Sequence, residues 1–210
     1  MVEIAVPPPL VQPQPRFYTV TVGTRLIRMY DPTKYEAAPT RFRFYGPLRR
    51  FDHQIELDEK PALSADRGII YAGDSLSGCL VEIFGDSRMI EVGSWEIAVF
   101  EPTRDLKLMD LRGEGAMRAG TVAAICKDSD HRYSQKWSRY FYENKFIYEE
   151  IDGLIFQNAH NEETAFGLYE RCQADLSVVK RGTLKEQALR TQIKLIAARL
   201  GMVVNPYETA

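Results

Sequence analysis

Apolar positions follow two rhythms along the chain. Short runs of apolar, β-branched and aromatic residues are bounded by turn chemistry, and in a few segments the spacing changes to that of a helix. "RFYTVTVGTRLIRMY" predicts a strand, a turn at Gly23 and a second strand through Ile27 to Tyr30. "GIIYAG" predicts a buried strand. Residues 75–84 predict a helix with Leu76, Cys79, Leu80 and Ile83 as its apolar stripe, and Ser75, Gly78 and Glu82 together on another face. "MIEVGSWEIAVFEP" has strand composition interrupted at Gly93-Ser94, and "LKLMDL" predicts another short strand.

Further on, "GAMRAGTVAAICK" is ambiguous, though alanine-rich enough for a helix. "HRYSQKWSRYFYENK" predicts a helix with Ser134 as N-cap and Trp137, Tyr140 and Phe141 on its apolar face. "DGLIFQNA" predicts a turn at Asp152-Gly153 and a strand running into a loop, and "TAFGLYERC" one more short element. The last helix is the clearest: Thr183 and Glu186 form a capping box, Leu189, Ile193, Ile196 and Leu200 a stripe, and Gly201 a stop. Strands and helices mix without the regular alternation of a doubly wound sheet. One α+β domain over residues 16–210 follows, preceded by a proline-rich, extended and poorly ordered arm at residues 1–15.

Composition narrows the function classes. A chain of 210 residues can bury a single core without a covalent staple. A net charge of −2 gives no general footprint for nucleic acid or an anionic membrane. Cys79, Cys126 and Cys172 are few, odd in number and far apart, which argues against a disulfide framework and for a reducing compartment. His53, His131 and His160 are scattered, no spacing matches a zinc site, and no metal is expected. No apolar run is long enough to span a bilayer and the N-terminus lacks signal-peptide character, so the expected location is the cytoplasm.

Candidate chemistry is thin when residues are taken singly. There is no nucleophile elbow, P-loop or dinucleotide fingerprint. Arg28 beside Tyr30, and Arg49-Arg50 among aromatics, suit phosphate recognition but equally a solvated, salt-bridged surface. The alternation of basic and aromatic residues over 41–51 also fits single-stranded RNA, a reading the acidic balance weakens. Tyr71 reads as a core tyrosine, Asn158 as a turn or cap residue, His53 and His160 as loop residues, and Glu82 as a carboxylate on a solvated helix face.

Order along the chain changes that picture. "GTRLIRMYDP", the Arg50-Phe51-Asp52 turn in "FYGPLRRFDHQ", "GIIYAGDSLSGCLVEIFGD", "MRAGTVAAICKDSDHRYSQKWSRYFYE" and "DGLIFQNAHNEETAFGLYERC" together resemble the RES-domain family from about Thr24 to Asp175. The resemblance puts the family arginine on Arg28, its tyrosine on Tyr71 and its glutamate, eleven residues on, at Glu82. The family serine is replaced by Asn158.

What the resemblance implies is a fold similar to ADP-ribosyltransferases, with a split β-sheet and flanking helices, and NAD⁺ as substrate. Family members are toxins that degrade NAD⁺ by phosphorolysis or hydrolysis, or transfer ADP-ribose to protein, often neutralised by an Xre-type antitoxin; a homodimer is left open. Nicotinamide leaves NAD⁺ as a neutral amide, so no general acid is needed, unlike ordinary glycosidases with two carboxyl groups. One partly buried, ionised glutamate should suffice to bind the ribose and stabilise an oxocarbenium-like transition state. The expected roles are Glu82 at the ribose, Arg28 on the diphosphate with Arg50 as second candidate, Tyr71 against nicotinamide or its ribose, and Asn158 orienting Glu82 or the amide. The rivals are protein ADP-ribosylation, and a catalytically weak NAD- or protein-binding module resulting from Asn158.

Overall fold

In a computed structural model, which describes residues 2–205, strands and helices mix without regular alternation. In chain order these are β1 (Phe17–Val20), β2 (Leu26–Tyr30), β3 (Tyr45–Gly46), β4 (Ala62–Leu63), β5 (Ile69–Gly73), α1 (Leu76–Phe84), β6 (Met89–Ile90), β7 (Glu96–Pro102) and β8 (Leu106–Asp110). There follow α2 (Gly115–Arg118), α3 (His131–Glu143), α4 (Lys145–Tyr148), β9 (Gly153–Gln157), β10 (Thr164–Tyr169), β11 (Leu176–Thr183), α5 (Gln187–Leu200) and β12 (Val203–Val204). Met1 and residues 206–210, the outer ends of the two regions assigned from sequence, lie outside the described residues.

Eight strands form one curled sheet in the order β1-β8-β9-β10-β5-β2-β7-β11. All neighbours are antiparallel except β8 and β9. This is the expected α+β single domain with flanking helices. The sheet is split: β2 and β5 share a single registered pair, Ile27 with Gly73, whereas β2 runs alongside β7 from Leu26 to Tyr30 and β5 alongside β10 over its whole length. The strands on either side of Gly23 do not pair with each other, because β1 joins β8 and β2 joins β5 and β7.

The pleat explains how apolar strands serve two sides. Along β5, Ile70 and Ala72 enter a cluster with Leu26, Phe100, Leu108 and Phe166, while Ile69 and Tyr71 pack with Phe51, Trp137, Phe141 and Phe156 beneath α3. A further cluster joins α1 and α5 through Leu76, Leu80, Phe84, Ile193 and Ile196. Each such side chain taken from water contributes about 1.5–3 kcal/mol.

Several local readings need correction. α3 starts four residues earlier than a Ser134 cap allows: Asp130 is the N-cap, accepting from the Arg132 backbone N–H at 3.1 Å, and Ser134 lies buried inside the helix. The Thr183–Glu186 box forms only in part. Thr183 ends β11, its N–H donates to Glu186 Oε1 at 3.0 Å, and the helix begins after Glu186. Gly201 does end α5, in the left-handed conformation at φ 64°. The sequence pattern did not reveal β11 at all.

Where the sequence reads a poorly ordered arm, the structure places an extended strap. Ile4 is buried in the cluster under α3, Trp137 Nε1 donates to the Ala5 carbonyl at 2.7 Å, and Gln14 N donates to the Arg118 carbonyl at 2.9 Å. An extended, proline-rich segment cannot pair within itself, so its polar backbone finds partners on the domain.

Candidate functional site

A cavity of about 100 Å³ opens where β2 and β5 diverge. Its lining includes Ile27, Arg28 and Met29 from β2, Tyr71 to Gly73 from β5, Gly78, Cys79 and Glu82 from α1, and Phe156, Asn158 and Ala165 from the β9–β10 region. Four of the five residues singled out from sequence thus meet at one place. Arg50 is not among them: its guanidinium donates to the Asp128 carbonyl.

Arg28 is half-buried in β2, and NH1 donates to the Arg41 carbonyl at 3.2 Å. No carboxylate among the described residues pairs with it, in contrast to Arg16, Arg43, Arg104 and Arg112. Burial lowers its pKa to about 10, and the charge of Arg43 acts in the same direction. It therefore stays cationic at neutral pH while lacking a counter-charge, the state of an anion receptor.

α1 presents Glu82 to the cavity for local reasons. Ser75 caps the helix, accepting from Gly78 N at 2.8 Å, and also donates to Glu163 in the β9–β10 loop. A side chain at Gly78 would lie 3.2 Å from both Glu163 Oε2 and Ser75 Oγ, so a glycine lets loop and helix approach. Gly78 and Glu82, one turn apart, then share the cavity-facing side. Glu82 is exposed rather than partly buried, and no hydrogen bond or ion pair among the described residues engages it.

Tyr71 has the satisfied hydroxyl of a core tyrosine and Asn158 the bonds of a turn residue, and the structure supplies their partners. The Tyr71 hydroxyl donates to Asp52 Oδ1 at 2.9 Å and accepts from Phe51 N at 3.0 Å. Burial, and then the Asp52 charge, push its pKa well above the usual tyrosine value. Asp52 itself is fully buried, and both of its oxygens accept from Arg43 Nη2, at 2.8 and 2.7 Å. It also accepts from the backbone N–H groups of Leu48 at 2.5 Å and Arg49 at 2.7 Å. Asn158 is buried, its Oδ1 accepting from His160 N at 3.0 Å and Asn161 N at 2.9 Å while Nδ2 donates to Asn161 Oδ1 at 2.7 Å. Its amide oxygen is thus committed to its own loop, the turn role its residue type suggests.

Sequence reasoning missed Arg43 and the role of Asp52. Both fall within the stretch 41–51 and its adjoining turn, where alternating basic and aromatic residues suggested an RNA-binding stripe. The structure buries Phe42 and Phe51, pairs Arg41 with Glu36 at 2.6 Å and turns Arg43 onto Asp52, leaving no open stripe. Among the described residues no cluster of His, Cys, Asp and Glu could hold a metal ion, and no helix is long and apolar enough to cross a membrane.

The arrangement is a cation and a carboxylate, each unpaired among the described residues, lining one apolar, aromatic-walled recess. It suits a ligand with an anionic group on one side and a centre that gains positive charge on the other.

Known proteins bear on this geometry. A curated relative described as "Probable toxin y4kH", from Sinorhizobium fredii, is 27% identical over 100 residues, which cover 48% of this chain and 74% of the relative. The fold matches a chain from the crystal structure of the M. tuberculosis MbcT-MbcA toxin-antitoxin complex, with a TM-score of 0.50 and 13% identity, over 84% of this chain and 92% of that one. The RES domain profile matches residues 25–190, a span that takes in Arg28, Asp52, Tyr71, Glu82 and Asn158, and the chain belongs to the RES domain family.

Proposed function

We propose that this protein is an NAD⁺-consuming toxin that cleaves the bond between nicotinamide and ribose. The observation that carries the reading is the meeting of Arg28 and Glu82, both without an ion-pair partner among the described residues, on one cavity at the split of the sheet. In the proposed pose Arg28 takes the diphosphate, the nicotinamide ring lies against Tyr71 and Phe156, and Glu82 faces the ribose. As the bond breaks, its electron pair stays with nicotinamide, which leaves neutral, and the positive charge passes to the ribose opposite Glu82. A recess of this volume admits one ring-sized group, so the adenosine end would extend outside it. Bound nucleotide would also cover Glu82 and exclude water from it, strengthening its field at the ribose.

The acceptor is phosphate or water in this reading, and a protein side chain in the ADP-ribosyltransferase alternative. The expected partner is an antitoxin protein of Xre type, in keeping with a structural neighbour solved as a toxin–antitoxin complex. One observation favours the binding-module reading instead: the Asn158 amide oxygen is used up within its loop, leaving only a second N–H to orient anything in the cavity.

Incubation of purified protein with NAD⁺, with and without phosphate and with a protein extract, followed by mass spectrometry, distinguishes these readings. Nicotinamide release with ADP-ribose 1″-phosphate or ADP-ribose supports the proposal. Label on protein selects the transferase, and NAD⁺ binding without turnover selects the module.

A further inference from the structure

We propose that Asp52 is a positioning residue of this site, which locks the Tyr71 hydroxyl so that Tyr71 acts on the ligand through its ring alone. The inference rests on the NAD⁺-cleavage reading and deepens it. A tyrosine hydroxyl has one proton and, in ordinary geometry, accepts one or two hydrogen bonds. Here the proton goes to Asp52 Oδ1 at 2.9 Å, and the oxygen accepts from Phe51 N at 3.0 Å. Nothing remains to donate to a substrate, yet Tyr71 still lines the cavity that Arg28 and Glu82 share.

Asp52 is suited to hold that geometry. Its side chain is fully buried, and it gathers Tyr71, the Arg43 guanidinium and the N–H groups of Leu48 and Arg49 on two oxygens. These groups come from β5, from the segment following β2 and from the turn before Phe51, so one carboxylate ties the wall of the cavity to the excursion between β2 and β5. Its second consequence is electrostatic. Arg43 lies close enough to Arg28 to influence its ionisation, but Asp52 neutralises Arg43 and leaves Arg28 as the uncompensated cation of the pair.

Kinetics of the full chain on NAD⁺ test the proposal through Asp52→Asn, Tyr71→Phe, Tyr71→Leu and the Asp52→Asn/Tyr71→Phe double variant. Asp52→Asn and Tyr71→Phe should each lower kcat about tenfold, because both release the same ring. The double variant should lose little more than either single one, since the two act through one bond. Tyr71→Leu, which removes the ring, should lose about a hundredfold. KM for NAD⁺ should not rise in Asp52→Asn, because Arg43, freed from its carboxylate, adds to the positive field around Arg28.

A Tyr71→Phe loss far exceeding that of Asp52→Asn would show that the hydroxyl acts on the substrate and would overturn the proposal. So would an Asp52→Asn protein whose melting temperature falls while kcat per folded molecule stays at the wild-type value, which is the mark of a purely structural residue. Absence of NAD⁺ turnover by the wild-type protein overturns the parent reading along with this one, whereas normal turnover with independent, additive effects of Asp52→Asn and Tyr71→Phe overturns this one alone.

Discussion

Arg28 on β2 and Glu82 on α1 line the same cavity, and neither is paired with the other or with any other charged group among the described residues. Two opposite charges placed around one recess and left apart do little for stability, because Arg28 gives up part of its solvation without a carboxylate's attraction and the exposed Glu82 gains nothing from the fold. Their arrangement makes sense when a ligand inserts between them, with an anion for Arg28 and a developing cation for Glu82.

Glu82→Gln should therefore reduce NAD⁺ consumption by about 10²–10³-fold, the usual cost of removing one electrostatic stabiliser of a transition state. The exposed, unpaired carboxylate holds nothing in the fold, so the melting temperature should stay within about 1 °C. Turnover and thermal unfolding of the same preparation check both halves. Full turnover in the variant would remove Glu82 from the chemistry.

Arg28→Lys tests the anion site. Lysine keeps the charge but loses the fork that grips a diphosphate. A lost charge-assisted hydrogen bond costs about 1.5–3 kcal/mol, so KM for NAD⁺ should rise about tenfold to a hundredfold, and more for Arg28→Ala. Steady-state kinetics at low and high salt measure it, and an unchanged KM would place the diphosphate elsewhere.

His53 makes stability depend on pH. The ring is fully buried, lies tilted against Tyr142 and Tyr169 with ring centres 4.4 Å apart in each case, and contacts Glu170 through Nε2 at 3.2 Å, while Nδ1 has no partner among the described residues. Burial lowers its pKa below the usual histidine value, Arg67 adds to that, and Glu170 and Asp52 oppose it. The unfolded chain then takes up a proton near pH 6.5 while the folded chain does not. Stability from this group is complete above about pH 6.5 and falls as the pH drops below it, by at most about 1.4 kcal/mol per pH unit. Melting temperatures at pH 7.5 and 5.5 should differ less in His53→Gln than in the wild type. An equal difference would locate the acid sensitivity in other groups.

The N-terminal strap should be part of the folded unit. Ile4→Ala removes a buried side chain from the cluster containing Trp137 and Phe141, at a cost of about 2–3 kcal/mol, or roughly 5–10 °C in melting temperature. Calorimetry measures this, and an unchanged Tm would mean that the strap is not held in solution.

Most of the local structure was legible in the residues. Short apolar, β-branched and aromatic runs located β2, β5, β7 and β9, and the apolar stripe Leu76, Cys79, Leu80 and Ile83 located α1, because these depend on neighbours a few positions away; that Ser75 caps the helix rather than lying in its first turn came from the structure. β11 was not legible. Its residues, Leu176–Thr183, are half exposed on a sheet edge and bulged between Val178 and Lys180, so they carry no clean alternation. The start of α3 was misplaced because Asp130 and Ser134 are both good caps, and only the backbone conformation chooses between them.

The candidate site divides in the same way. The sequence alone determined the residue types and their order: Arg28, Tyr71 and Glu82 with a family resemblance, and Asn158 where that family has serine. Only the tertiary structure decided which charges were free. It showed that Arg28 pairs with no carboxylate among the described residues, that Glu82 is exposed, that the Asn158 amide oxygen accepts from His160 N and Asn161 N, and that Arg50 is engaged at Asp128. It also showed that Asp52, read from sequence only as part of a turn, holds Tyr71 and Arg43 at once. Pairing and burial depend on groups far apart in the chain that meet only once the split sheet has formed, and a local pattern carries no record of that meeting.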